Sequence, residues 1–197
     1  MTDLERAIQA IEHGLPAATD AKEGPARKMD LRERMTHHKV PGFSIALIDQ
    51  AELAWVRGYG VLEAGGQEAV THETLFQAAS ISKLVTAMVA LNLVEAGLLD
   101  LDADVNEALR SWKVPESKYT QVRREGVRPK VTLRGLLSHT AGVTLSGYRG
   151  YRSEAQLPTL LQVLKGEPPA NSRPVRVGQA PGKAFKYSGG GPYPMRR

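Results

Sequence analysis

The sequence predicts an α/β fold of the α+β type, with several helices and one antiparallel strand pair. Three observations carry this. The stretches FSIALID (43–49) and LAWVRGYG (53–60) are rich in apolar and β-favouring residues and are separated by a short connection. Apolar residues recur at helical spacing elsewhere, most strongly over 80–96. The composition is that of a folded domain, with 42 % hydrophobic and 24 % charged residues in a chain of 197.

In chain order, Leu4, Ile8 and Ile11 give residues 3–13 the spacing of a helix. Residues 14–28, rich in Gly, Pro and Ala, read as a loop. A short helix is expected over 29–38, ending before Pro41, because the residue before a proline is biased towards extended backbone. The hairpin follows, turning at Gln50-Ala51, and the polar stretch 63–69 closes that unit. A lone hairpin is marginal in water, and the chain offers a single such pair. Over 80–96, Ile81, Leu84, Val85, Met88, Val89, Leu91, Leu93 and Val94 surround a helix on nearly every side. Such a helix is expected to be buried, and Gly97 is placed to end it.

Asp100, Asp102 and Asp104 follow. Their spacing resembles the start of a calcium loop, but the sixth position is not Gly and the twelfth is not Glu. A solvated turn leading into a short helix at 104–110 is expected instead. Residues 113–130 are polar and read as a surface loop. Thr132 caps a short helix in LRGLLSH (133–139), which Ala141-Gly142 ends, and 157–165 (LPTLLQVLK) has the pattern of another amphipathic helix.

Composition also excludes classes of function. There is no cysteine, so disulfide frameworks, thiolate nucleophiles and Cys-based metal sites are ruled out. The scattered histidines, His37-His38 included, offer no i, i+4 pair for a metal, and the glycines at 189–191 lack the GK[ST] ending of a phosphate loop. No apolar run is long enough for a membrane span. The N-terminus has early acids and no apolar core, so it does not read as a secretory signal, and a cytoplasmic location is expected. The net charge is +5, with six Lys/Arg and no Asp/Glu in 168–197, leaving 20 basic against 21 acidic residues over 1–167. A basic, Pro/Gly-rich end suits a nucleic-acid tail. Here most of the cations are spread singly and no aromatic stacking motif accompanies them, so a solvated segment and no specific nucleic-acid partner are expected.

The apolar helix holds one cation, Lys83, with Ser80 one turn earlier on the same face. A serine at a helix N-terminus beside a lysine is a layout for a nucleophile with its base, and the free N–H groups there favour an oxyanion. The same pair has a structural explanation. Serine is a common N-cap, lysine can snorkel to the surface, and ordinary usage gives about one Ser-x-x-Lys in a chain of this length. Spacing alone leaves both readings open.

The stretch LFQAASISKLVTAMVALNLVEAGLLDLD (75–102) resembles the first active-site motif of the serine β-lactamase and penicillin-binding-protein superfamily, in which Ser-x-x-Lys opens a central helix. VTLRGLLSHTAGV (131–143) is similar to the segment that follows in the β-lactamase-related family of class C β-lactamases, D-alanyl-D-alanine carboxypeptidases and esterases. PGFSIALID and WVRGYGVLE resemble its first strands. PGKAFKYSGGG (181–191) resembles its second motif, here Tyr187-Ser188-Gly189. The resemblance runs over 29–191, flanked by an N-terminal helix and loop (1–28) and an atypical basic tail (192–197).

The resemblance implies a serine hydrolase acting on an ester or amide, a β-lactam, D-Ala peptide or small ester, through an acyl-enzyme at Ser80. Lys83 would take the hydroxyl proton. Tyr187 would serve as partner base and then protonate the leaving group. Gly189 stands at a substrate-binding position where many relatives have Asn; it lacks the side-chain amide that could hold substrate and leans the reading towards esterases or peptidases. His139 is given a structural role. Neither a metal nor an organic cofactor is required. The family's third motif, Lys/His-Ser/Thr-Gly, which neighbours its second oxyanion donor, is not found after Tyr187. The resemblance therefore implies the N-terminal and helical part of a β-lactamase/transpeptidase-like fold, C-terminally truncated, with most of the antiparallel sheet missing. Impaired activity and self-association through exposed strands are expected. The alternative is a non-catalytic, partner-binding fragment.

Overall fold

The computed structural model describes residues 1–16, 28–122, 126–152 and 154–189. The expected basic tail, 192–197, lies outside them. The chain divides into two compact units, Met1–Gln77 and Ala78–Arg197.

In the first unit, α1 (Asp3–Glu12) opens on a capping box. The Thr2 hydroxyl accepts from the Glu5 amide while the Glu5 carboxylate accepts from the Thr2 amide. Within the expected loop 14–28, Leu15–Pro16 (β1) pairs antiparallel with Lys28–Met29 (β2). Two-residue strands leave no periodicity to read, which is why the sequence gives only a loop there. Asp30 and Glu33 form a second capping box at the start of α2 (Leu31–His37).

The hairpin lies where expected, with β3 (Gly42–Asp49) antiparallel to β4 (Glu52–Gly60) and a register shift between Leu47 and Ile48. Its two-residue turn places both Gln50 (φ 48°) and Ala51 (φ 65°) in the left-handed region, the conformation of a type I′ turn. Gly60 has φ 76°, and a Cβ there would lie 2.0 Å from the Pro41 carbonyl, so only glycine fits. Glu12 ties α1 to β4. Its carboxylate accepts from the Tyr59 hydroxyl at 2.6 Å and from Arg57 at 2.7 Å, and these bonds, Tyr59 first, hold it below the usual carboxylate range.

In the second unit, α3 (Ile81–Glu95) is followed by α4 (Val105–Ala108), α5 (Leu133–Leu137) and α6 (Leu160–Lys165). Gly97 ends α3 at φ 70°, and the Leu98 amide donates to Leu93 O across a Schellman turn. Thr132 caps α5 by accepting from the Gly135 amide, and a Thr159–Gln162 capping box starts α6 later than the apolar pattern suggests. The core is built from Val114, Val131, Leu136, Ala141, Val143, Leu164, Val175 and Val177. Val114 and Thr120 are buried, so 113–130 is not wholly a surface loop. Asn106 anchors it, accepting from the Val114 amide and donating to the Val114 carbonyl.

The acidic loop behaves as a turn and cap. Asp100 accepts from the Asp102 amide, Asp102 pairs with Arg134 through two 2.7 Å bonds, and Asp104 caps α4.

The largest departure from expectation is α3. Ala90 is its buried residue, whereas Ile81, Leu84 and Met88 are 69 %, 65 % and 63 % exposed, and Val85, Val89, Leu91 and Leu93 are exposed as well. Apolarity on every side records what the helix could bury. The core of this unit forms between α5, α6 and the loops around them, and no described helix of the unit packs along α3.

Candidate active site

Ser80 has helical dihedrals at the start of α3, φ −72° and ψ −11°, and its side chain makes no capping hydrogen bond. Its Oγ instead lies 2.8 Å from the Tyr187 hydroxyl and accepts from Lys83 Nζ at 3.2 Å. A structural N-cap would instead spend its oxygen on the second or third amide of the helix. Lys83 reaches Ser80 because three residues make one turn. Its Nζ also lies 5.1 Å from the centre of the Tyr187 ring. Lys83 is half-buried and Ser80 exposed, so the buried setting expected from the apolar helix is not what this pair has. The preceding residue, Ala79, is held at φ 42°, a conformation that costs an L-residue about 1–2 kcal/mol. Strain of this kind clusters at functional sites.

Tyr187 comes from a segment 107 residues away that is fastened to the α5 exit by its backbone. Thr144 N donates to Arg176 O, Gly178 N to Gly142 O, Gly182 N to Thr140 O, Lys186 N to His139 O and Gly189 N to Leu145 O, all within 2.7–2.9 Å. The Ser188 hydroxyl is buried and donates to the Thr144 carbonyl. The Ser80 hydrogen bond first, and then Lys83, lower the Tyr187 phenol from its ordinary value.

The geometry thus brings Ser80, Lys83 and Tyr187 together. Gly189 lies two residues on, and a Cβ there would sit 3.1 Å from the Tyr148 ring, close enough that the ring would have to shift slightly. Sequence reasoning missed the Ser188 clamp and the contacts of His139, which depend on pairings about 45 residues apart that no local pattern signals. Among the described residues, no group of three or more His, Asp or Glu is arranged to hold a metal ion, and no helix is long and apolar enough to cross a membrane.

The sequence model of the Beta-lactamase family matches residues 29–191. The chain belongs to the β-lactamase family. Within the serine β-lactamase and penicillin-binding-protein-like superfamily it is similar to Penicillin-binding protein 4 of Amycolatopsis lactamdurans, 35 % identical over 108 residues, which are 55 % of this chain and 26 % of that protein. It is also similar to the mitochondrial serine beta-lactamase-like protein LACTB of Mus musculus, 29 % identical over 188 residues, covering 89 % of this chain and 32 % of that one. Among solved structures, the octameric penicillin-binding protein homologue from Pyrococcus abyssi superimposes with a TM-score of 0.60 at 26 % identity, over 84 % of this chain and 36 % of the other. This β-lactamase-family chain therefore spans between 26 % and 36 % of the length of these relatives.

Proposed function

We propose that the chain carries the nucleophilic centre of a serine hydrolase and that Ser80 is acylated by an ester or amide substrate. The observation that carries this reading is the Ser80 hydroxyl, which makes no capping bond to its helix and is bonded to both Lys83 and Tyr187. In acylation, Ser80 Oγ bonds to the carbonyl carbon as its proton passes to the Lys83–Tyr187 pair. The oxyanion is met by the Ser80 amide at the start of α3. The Tyr187 hydroxyl then gives a proton to the leaving oxygen or nitrogen, and water later releases the acid. A phenol serves as the base only where a neighbouring cation stabilises its anion, and Lys83 is in that position.

Gly189 offers substrate no side-chain amide, which favours small esters and peptides over β-lactams. Support also comes from relatives named as a penicillin-binding protein and a serine β-lactamase-like protein. The test is covalent labelling by a fluorescent penicillin and by a fluorophosphonate. Labelling of the wild type that disappears in Ser80→Ala is the expected result. Labelling that survives in Ser80→Ala, or no labelling of the folded wild type, would overturn the proposal. The second outcome would favour a partner-binding module, a reading supported by the exposed apolar sides of α3.

A further inference from the structure

His139 leaves α5 with φ 59°, in the left-handed region. Its ring centre lies 4.7 Å from that of Tyr187, tilted by 38°, and 5.8 Å from that of Phe185, edge-on. Two hydrogen bonds from this one residue bracket Tyr187. The His139 carbonyl accepts from the Lys186 amide at 2.8 Å, and Nδ1 accepts from the Ser188 amide at 3.2 Å. A backbone N–H can only donate, so Nδ1 must present a lone pair and the neutral ring carries its proton on Nε2.

We propose that His139 is a positioning residue: as a neutral imidazole it holds Tyr187 against Ser80, and on protonation it gives up that hold. Protonated Nδ1 would point an N–H at the Ser188 N–H, removing the one of the two His139 bonds that lies on the C-terminal side of Tyr187 and loosening its hold there. The groups around the ring agree with a neutral state. Lys83 on α3 presents a positive charge, Tyr187 presents a neutral ring, Phe185 is apolar, and Lys186 meets His139 through its backbone. Burial first, and the charge of Lys83 second, hold the imidazole below its ordinary range. In the proposed reaction His139 touches no reacting atom; it acts through Tyr187.

The rate arm of the test rests on the reading of Ser80 and Tyr187 given above, whereas the spectroscopic arm does not. Tyrosines are labelled with ¹³C at Cζ, the Tyr187 signal is assigned by its loss in Tyr187→Phe, and spectra are followed from neutral to mildly acidic pH. In the wild type the Tyr187 signal is expected to step as pH falls through a midpoint below about 6.5, the ordinary imidazole value. His139→Asn keeps an acceptor near the place of Nδ1, tolerates the left-handed backbone and cannot be protonated. Its signal should stay at the wild-type neutral position without a step. His139→Ala should displace the signal at every pH and slow fluorophosphonate acylation by about 10²-fold, the usual cost of a misplaced catalytic group, with His139→Asn restoring most of the rate. A Tyr187 signal indifferent to pH and to His139→Ala in a folded protein would overturn the proposal. So would an acid step that persists in His139→Asn, which keeps the inference falsifiable if the alanine variant does not fold. If instead the signal steps as described but Ser80 never labels, the positioning role stands and the hydrolase reading fails.

Discussion

The Ser80 oxygen has three uses open to it at the start of a helix: capping, solvation, or partnership with another side chain. It takes the third, and removing either partner should cost rate. Lys83→Ala and Tyr187→Phe should each slow acylation by roughly 10²–10⁴-fold, the range for a positioned acid or base. Near-normal labelling rates in both variants would leave Ser80 without a base. The pH dependence separates the two. Because Tyr187 is lowered from the ordinary phenol value, acylation should rise with pH as it deprotonates, and reach its plateau before about pH 10. Tyr187→Phe should lack that alkaline rise. The stability contribution of His139 runs with pH in the same sense. Its folded-state pKa is depressed, so its contribution is complete above about pH 6.5 and is lost as pH falls through the lower folded value.

Local elements were legible wherever a chemical signal coincided with a period. Leu4, Ile8 and Ile11 mark α1, β-favouring residues mark the hairpin, Gly97 marks the end of α3, and Thr132 marks the start of α5. The start of α6 was misplaced because Pro158 and the Thr159–Gln162 capping box override an apolar pattern that runs further back. In the candidate site, Ser80 and Lys83 share one helical turn, so their proximity could be read from spacing. Tyr187 could be placed only through its resemblance to a motif, and its fastening to 139–145 is a non-local ladder without a sequence period. The hairpin turn supplies a direct test at this scale. Type I′ turns favour Asn-Gly because both central residues need positive φ, and here Gln50 and Ala51 fill those places. Ala51→Gly should stabilise the chain by about 1 kcal/mol by relieving left-handed strain. Thermal unfolding would check this, and an unchanged or lower melting temperature would mean that the turn relaxes to another form. Thr132→Ala should move stability the other way, by about 0.5–2 kcal/mol, through loss of the cap bond to Gly135.

At the scale of the whole molecule, the same helix that presents Ser80 leaves its apolar sides in solvent. Each large apolar side chain returned to a dry environment contributes about 1.5–3 kcal/mol. The seven exposed residues of α3 therefore represent on the order of 10 kcal/mol, comparable with the cost of bringing two chains together. The hairpin adds the exposed Ile45, Leu47, Ile48 and Leu53, fewer large apolar side chains than the helix leaves exposed. Residues 1–197 on their own are thus expected to self-associate, with α3 contributing more than the strands. Size-exclusion chromatography with light scattering would show the association. Leu84→Glu combined with Met88→Glu, one turn apart on α3, should shift the population towards monomer, and Ile48→Lys on the hairpin should shift it less. If the hairpin variant dissociates the oligomer and the helix variant does not, the strand edges carry the contact. If the wild type is a concentration-independent monomer, the exposed apolar sides of α3 are tolerated in solution and the expected self-association is wrong.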